Sequence, residues 1–204
     1  MKLLHIDSSI LGEASASREL SASIVKALTG AMPGVEVIRR DLDADPIPHL
    51  DSRLLAAVRP DIAAASATRA ADEKGAAALE EFLGADIVVI GAPMYNFAIP
   101  TQLKAWIDRI VQVGRTFRYT EAGPIGLAGG KQVVIVSSQG GVYTTPERQA
   151  MDFQESYLRL VLNFVGITDI SIIRADGVAM GPGPRERAIT AAHAQFADLF
   201  RRAA

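Results

Sequence analysis

Short apolar runs alternate along the chain with longer segments of helical periodicity. Five runs predict buried β-strands, at residues 3–6, 35–39, 86–90, 131–138 and 170–173. The clearest amphipathic helix is predicted over residues 101–113, whose apolar face holds Leu103, Trp106, Ile107, Ile110 and Val111. Because strands and helices alternate, the pattern predicts an α/β protein with a parallel sheet covered by helices.

The remaining helices complete a doubly wound arrangement. They are predicted after Ser17, over residues 51–58, 61–83 and 151–165, and after residues 181–184. Five strands in this alternation favour a flavodoxin-like sheet with the order 2-1-3-4-5. With 204 residues, the chain 1–204 is expected to form a single domain.

Composition excludes several classes of function. The net charge is −2 and no basic run exceeds a pair, which disfavours nucleic acid as a partner. Cysteine is absent and the three histidines are scattered, so we expect no disulfide, thiolate nucleophile or metal site. No signal-peptide pattern or membrane-spanning apolar stretch is found, and we expect a cytoplasmic protein without membrane contact.

The loop after the third predicted strand is unusually rich in chemistry. Met94-Tyr95-Asn96-Phe97 stands between Pro93 and Pro100. Flat apolar side chains beside an amide suit a flat heteroaromatic ligand that also needs hydrogen bonds. The alternative is a loop tucked under the core, with Tyr95 and Phe97 as plugs.

A second loop, after the first strand, carries hydroxyls at a predicted helix N-terminus. Ser9, Ser15 and Ser17 could hold a terminal phosphate together with free backbone N–H groups. Neither the dinucleotide fingerprint nor the P-loop motif is present, which favours a mononucleotide. Plain helix capping by Ser15 or Ser17 is the alternative.

A third loop follows the fourth strand. Gly140 and Gly141 would let the backbone approach a planar ligand closely. For a flavin, backbone donors or Gln139 could stabilise negative charge at the ring edge. A tight turn explains the two glycines equally well.

Together these loops resemble the FMN-dependent NADH azoreductase and quinone reductase family, which has a flavodoxin-like fold. The resemblance covers nearly the whole chain. It is carried by DSSI at residues 7–10, RDL at 40–42, PIP at 46–48, APMYNF at 92–97, QLK at 102–104, TFRYTE at 116–121, SQGG at 138–141 and GITD at 166–169.

The resemblance implies three groups of FMN-binding residues. The phosphate would be held by Ser9, Ser15, Ala16 and Ser17. The isoalloxazine would be contacted by Met94, Tyr95, Asn96 and Phe97. Its pyrimidine side would be lined by Ser138, Gln139, Gly140 and Gly141. The family often has Arg where this chain has Gln139.

By the same resemblance, the chain would pass two electrons by a ping-pong mechanism from NADH or NADPH to quinones and azo compounds. Phe97 and Tyr119 would stack on the substrate, no side chain would act as catalytic acid or base, and the protein would be a homodimer. The alternatives are a flavodoxin-type electron carrier, which is expected to be more acidic, and a reductase that releases its FMN.

Overall fold

The structure of the protein, a computed structural model, describes residues 1–51 and 73–203. Its main sheet is parallel and has the order β2-β1-β3-β6-β7. The five strands are β1 (Lys2–Asp7), β2 (Glu36–Asp41), β3 (Ile87–Pro93), β6 (Gln132–Gln139) and β7 (Asp169–Asp176). This confirms the predicted order 2-1-3-4-5, because β4 (Phe117–Thr120) and β5 (Gly123–Gly126) pair with each other as a separate antiparallel hairpin.

Six α-helices are found in the described ranges. They are α1 (Ala16–Ala31), α2 (Glu73–Gly84), α3 (Thr101–Ile110), α4 (Pro146–Gln149), α5 (Phe153–Phe164) and α6 (Pro182–Ala203). Within these ranges, none of the helices combines the length and the hydropathy needed to cross a bilayer.

Two hydrophobic clusters follow from the alternation of side chains along the strands. Leu3 of β1 belongs to a cluster with residues of α1 and α6. Leu4 and Ile6 belong to a second cluster, with residues of α2, α3 and α5. Successive strand residues point to opposite faces of a sheet, so each face of β1 is packed by its own set of helices.

Several predicted boundaries were wrong by a few residues, each for a local reason. β3 continues to Pro93 because residues 91–93 pair with β6. α3 ends at Ile110 rather than 113, because the Thr116 hydroxyl donates to the Ile110 carbonyl and accepts from the N–H of Gln112. α5 begins at Phe153 because Asp152 caps it.

The region between β2 and β3 is only partly described. The predicted helix at residues 51–58 falls almost wholly outside the described residues, as does the first part of the one at 61–83. Its second part is confirmed by α2. Residues 117–124, whose sequence indicates a surface excursion with a turn, belong to the β4–β5 hairpin, which spans residues 117–126.

Candidate functional site

The three loops singled out in the sequence meet at the carboxyl edge of the sheet. β1, β3 and β6 are adjacent and parallel, with Asp7 opposite Gly91 and Pro93 opposite Ser138. Hydrogen bonds also connect residues of these loops. The Ser9 and Tyr95 hydroxyls are 3.0 Å apart, and the N–H of Met94 donates to the Ser138 carbonyl at 2.8 Å.

The serine loop, residues 8–17, leads into α1, and its serines are buried while residues 10–14 are exposed. Ser15 is the N-cap, and its hydroxyl accepts from the N–H of Arg18. Ser17, the other predicted cap, lies inside α1, with its hydroxyl 3.1 Å from that of Ser15. The N–H groups of Ala16 and Ser17 belong to the first helical turn, where no intrahelical carbonyl can accept them. The hydroxyls of Ser15 and Ser17, these N–H groups and the positive end of the helix dipole therefore lie together at the start of α1.

Arg18 links the serine loop to Asp41 of β2 through hydrogen bonds, a role that the sequence did not reveal. Its Nε and Nη2 donate to the Ser9 carbonyl at 3.0 and 2.8 Å. Its Nη1 and Nη2 donate to the Asp41 carboxylate at 2.5 and 2.7 Å. The hydrogen bond from Arg18 lowers the pKa of Asp41 to about 2.

A second carboxylate, Asp7, is buried below the loop at the end of β1. It accepts from Arg39 at 2.9 Å and from the Ser21 hydroxyl at 3.0 Å, and His5 Nε2 lies 3.3 Å away. Burial raises the pKa of Asp7, but the hydrogen bond and charge of His5 and the hydrogen bonds from Arg39 and Ser21 outweigh it, so the pKa lies below the ordinary value. An added Cβ on Gly91 would come within 3.3 Å of both Asp7 Oδ1 and Ser21 Oγ, so glycine leaves room for this cluster.

The aromatic turn, residues 94–98, has a strained backbone. Tyr95 and Ala98 exchange two backbone hydrogen bonds, and the two residues between them have positive φ, 48° at Asn96 and 68° at Phe97. Positive φ at both central positions is the pattern of a type I′ turn, which glycine or asparagine normally occupies. Asn96 and Phe97 are exposed, Phe97 by 43%, so the interpretation of Phe97 as a core plug was wrong.

The glycine loop, residues 139–141, is held against residues 177–179. The carbonyls of Gln139, Gly140 and Gly141 accept backbone N–H groups from that segment. The N–H groups of Gly140 and Gly141 are not used in this pairing. A Cβ on Gly140 would lie 3.3 Å from the Ala179 Cβ, so a larger residue would disturb the pairing.

The side chain of Gln139 already has a partner within the protein. Its Nε2 donates to Asp152 Oδ2 at 2.7 Å. Gln139, Glu155 and Asp176 are among the residues that line a cavity of about 520 Å³. Burial and the nearby charge of Glu155 raise the pKa of Asp176. The N–H groups of Gly140 and Gly141, by contrast, take no part in the pairing with residues 177–179.

The two predicted substrate residues lie on separate elements. Tyr119 is 66% exposed on β4, and its ring packs edge-on against Phe117 at 5.4 Å. In the described part of a single chain, Tyr119 and Phe97 make no ring contact with each other.

An apolar groove of about 520 Å³ adjoins the aromatic turn between α3 and α5. Phe153 and Leu160 of α5 line it and are 61% and 68% exposed. The N–H of Phe153 donates to the Phe97 carbonyl at 3.0 Å, which ties the groove to the turn.

Comparisons with known proteins agree with this architecture. The family model described as flavodoxin-like fold matches residues 1–200. An FMN-dependent NADH:quinone oxidoreductase from Ralstonia nicotianae is 51% identical over 205 residues, covering 100% of this chain and 99% of that one. A protein of the same name from Azospirillum brasilense is 56% identical, covering 98% and 97%. The crystal structure of an FMN-dependent NADH-azoreductase from Bacillus anthracis in complex with FMN is 26% identical, with a TM-score of 0.86 and coverage of 100% and 99%.

Proposed function

Since the chain belongs to the flavodoxin-like family that includes the FMN-dependent NADH:quinone oxidoreductases, we propose that it binds FMN and passes two electrons from NADH or NADPH to quinones. We extend the proposal to azo compounds, which it would cleave reductively to aromatic amines. The observation that carries it is the meeting of the serine loop, the aromatic turn and the glycine loop at one edge of the sheet.

The donor set of the serine loop fits the phosphate of FMN. Ser9, Ser15 and Ser17 supply three hydroxyls, and Ala16 and Ser17 supply N–H groups of the first turn of α1. An anion at a helix N-terminus is favoured by both the unpaired N–H groups and the helix dipole. The hydroxyl–hydroxyl contacts of the protein alone would be exchanged for bonds to phosphate oxygens.

The ring of FMN fits between the aromatic turn and the glycine loop. Met94 to Phe97 supply the apolar and amide contacts, and Gly140 and Gly141 offer N–H groups without a Cβ in the way. The pairing of residues 139–141 with 177–179 fixes the direction of those N–H groups. Bound FMN supplies the hydride chemistry, and the protein supplies position and electrostatics.

The mechanism that we propose is ping-pong. The electron donor and the acceptor bind in turn at one place, and Phe97 and Tyr119 stack on them. The exposure of Phe97 supports this role, since an exposed aromatic ring is available to a second flat molecule. Donors from Gly140 and Gly141 would stabilise negative charge at the ring edge, and no side chain need transfer a proton.

We also propose a homodimer. Phe153 and Leu160 support it, since both are exposed in one apolar groove and exposed apolar patches mark association surfaces. Tyr119 on the hairpin is a further exposed aromatic side chain. A doubly wound single domain is supported by the two hydrophobic clusters about one sheet. A cytoplasmic location is supported by the absence of cysteine.

The test is anaerobic spectroscopy of the purified protein. We expect a yellow protein whose flavin absorbance is bleached rapidly by NADH or NADPH and restored by a quinone in a second mixing step. The same reduced protein should cleave an azo dye to its amines, which chromatography detects.

A protein that does not bind FMN would contradict the proposal. A tightly bound flavin that neither nicotinamide reduces would favour an electron carrier. Flavin that leaves the protein on reduction, detected by ultrafiltration, would favour a reductase that releases its FMN.

A further inference from the structure

Arg18 stands beside the proposed phosphate site but directs its hydrogen bonds into the protein. It makes four hydrogen bonds, two to the Ser9 carbonyl and two to the Asp41 carboxylate. A guanidinium has five N–H donors, so these bonds engage most of its capacity. The side chain is only 14% exposed. Arg18 is therefore fixed in place as part of the scaffold.

The Ser9 carbonyl belongs to the peptide group between Ser9 and Ile10, and the position of this group affects the Ser9 hydroxyl and the Ile10 N–H. Ser9 contributes the hydroxyl that meets Tyr95, and the same hydroxyl accepts from the N–H of Leu11 at 3.3 Å. The next N–H, of Ile10, donates to the Tyr95 hydroxyl at 3.2 Å. Two charge-assisted bonds on the intervening carbonyl hold this peptide plane, and with it the direction of the hydroxyl.

Arg18 also lies where three elements join. Its backbone is in the first turn of α1, its guanidinium contacts the loop after β1, and Asp41 is the last residue of β2. Asp41 is itself held, because its carboxylate accepts from the N–H groups of Asp43 and Ala44. The planar fork of arginine suits a carbonyl on one side and a carboxylate on the other, and a lysine cannot reproduce it.

We propose that Arg18 is a positioning residue for the FMN phosphate, acting through the Ser9 carbonyl and not as a phosphate ligand. This inference rests on the proposed function. It predicts that loss of the fork weakens binding of the phosphate end of FMN and leaves binding of the ring end unchanged.

The test compares FMN with riboflavin, which lacks the phosphate. Both are titrated by fluorescence quenching into the full chain freed of flavin. Arg18→Gln should raise the Kd for FMN by about tenfold or more, while the Kd for riboflavin changes by less than about twofold. Arg18→Lys keeps the charge and should still raise the Kd for FMN by several-fold. Its result decides the question if Arg18→Gln does not fold.

Arg39→Gln is the matched control. Arg18 Nη1 lies 3.8 Å from Asp7 as well as on Asp41, and Arg39 Nη2 lies near the same two carboxylates, 2.9 Å from Asp7 and 3.9 Å from Asp41. Arg39 donates to Asp7 and not to Ser9. The Arg39→Gln substitution removes one positive charge from the same cluster. It should change the Kd for FMN and the Kd for riboflavin by less than about twofold.

Three results would overturn the inference. They are an unchanged Kd for FMN in Arg18→Gln, or in Arg18→Lys if only that variant folds; an equal loss of FMN and riboflavin binding; and a loss in Arg39→Gln as large as in Arg18→Gln. A wild-type chain that does not bind FMN would overturn the proposed function as well. Tight wild-type binding with any of the three results would overturn only the role of Arg18.

Discussion

The serine loop and the aromatic turn meet at the Tyr95 hydroxyl, which contacts the Ser9 hydroxyl and accepts from the N–H of Ile10, yet the two segments are built in opposite ways. The serines of the loop are almost wholly buried, and Arg18 ties the loop to β2 through its hydrogen bonds to the Ser9 carbonyl and the Asp41 carboxylate. The turn exposes Asn96 and Phe97 and holds both at positive φ. A phosphate gains from donors that are already fixed, whereas a ring that must meet two substrates needs an open face. With FMN bound as proposed, the phosphate would be held by a loop fixed by hydrogen bonds, and the ring would be presented to substrates by an exposed turn.

The largest expected effect is a loss of stability in acid, when Asp41, which anchors Arg18 and the serine loop, becomes protonated. Asp41 has a pKa of about 2 in the folded protein, below the ordinary value of about 3.9 in an unfolded chain. A carboxylate with a lowered folded pKa stabilises the fold above the unfolded value and loses that contribution as the pH falls towards the folded value. Asp41 should therefore contribute about 2 kcal/mol to the free energy of unfolding, present at pH 5 and lost by about pH 2.

Urea unfolding between pH 7 and pH 2.5 measures this contribution. Asp41→Asn should be less stable than the wild type at pH 7, and the gap should shrink in acid. Asp43→Asn, a change of an exposed carboxylate in the same segment, should follow the wild-type curve. A gap between Asp41→Asn and the wild type that does not change with pH would contradict the assignment.

The second effect concerns the strained backbone of the aromatic turn. Phe97→Gly and Phe97→Ala remove the same aromatic ring, but only glycine relieves the backbone at φ 68°. We expect the glycine variant to be more stable than the alanine variant by about 1 kcal/mol in urea unfolding, the reverse of the usual order. Both should raise the KM for a quinone. An alanine variant as stable as the glycine variant would mean that the turn is unstrained.

The smallest expected effect is the energetic coupling between the serine loop and the aromatic turn. A double-mutant cycle with Ser9→Ala and Tyr95→Phe isolates the 3.0 Å hydroxyl pair. The coupling in the free energy of unfolding, measured without flavin, should be about 0.5 to 1 kcal/mol. Additive losses would show that the two segments are energetically independent.

Prediction from the sequence succeeded where the pattern is local and repeated. The apolar runs identified all five strands of the main sheet, and their alternation with helices favoured the flavodoxin-like winding, whose known order this sheet has. The three loops could be placed together because the carboxyl ends of parallel strands share an edge. Each of these inferences needs only periodicity and topology.

What could not be predicted depends on long-range side-chain contacts. Arg18 and Asp41 are 23 residues apart, and nothing in their local sequence indicates that they pair. The partner of Gln139 is Asp152, which lies beyond a loop and a short helix. The positive φ of Phe97 contradicts residue preference, since a bulky side chain rarely adopts it. Such exceptions to local rules are expected where a site is formed.

The most direct measurement is a crystal structure of the full chain with FMN. We expect the phosphate to lie within hydrogen-bond distance of the serine hydroxyls and of the N–H groups of Ala16 and Ser17. The ring should lie between the aromatic turn and the glycine loop, with Arg18 still on the Ser9 carbonyl. A flavin bound instead in the apolar groove between α3 and α5, or a phosphate bound directly by Arg18, would contradict this account.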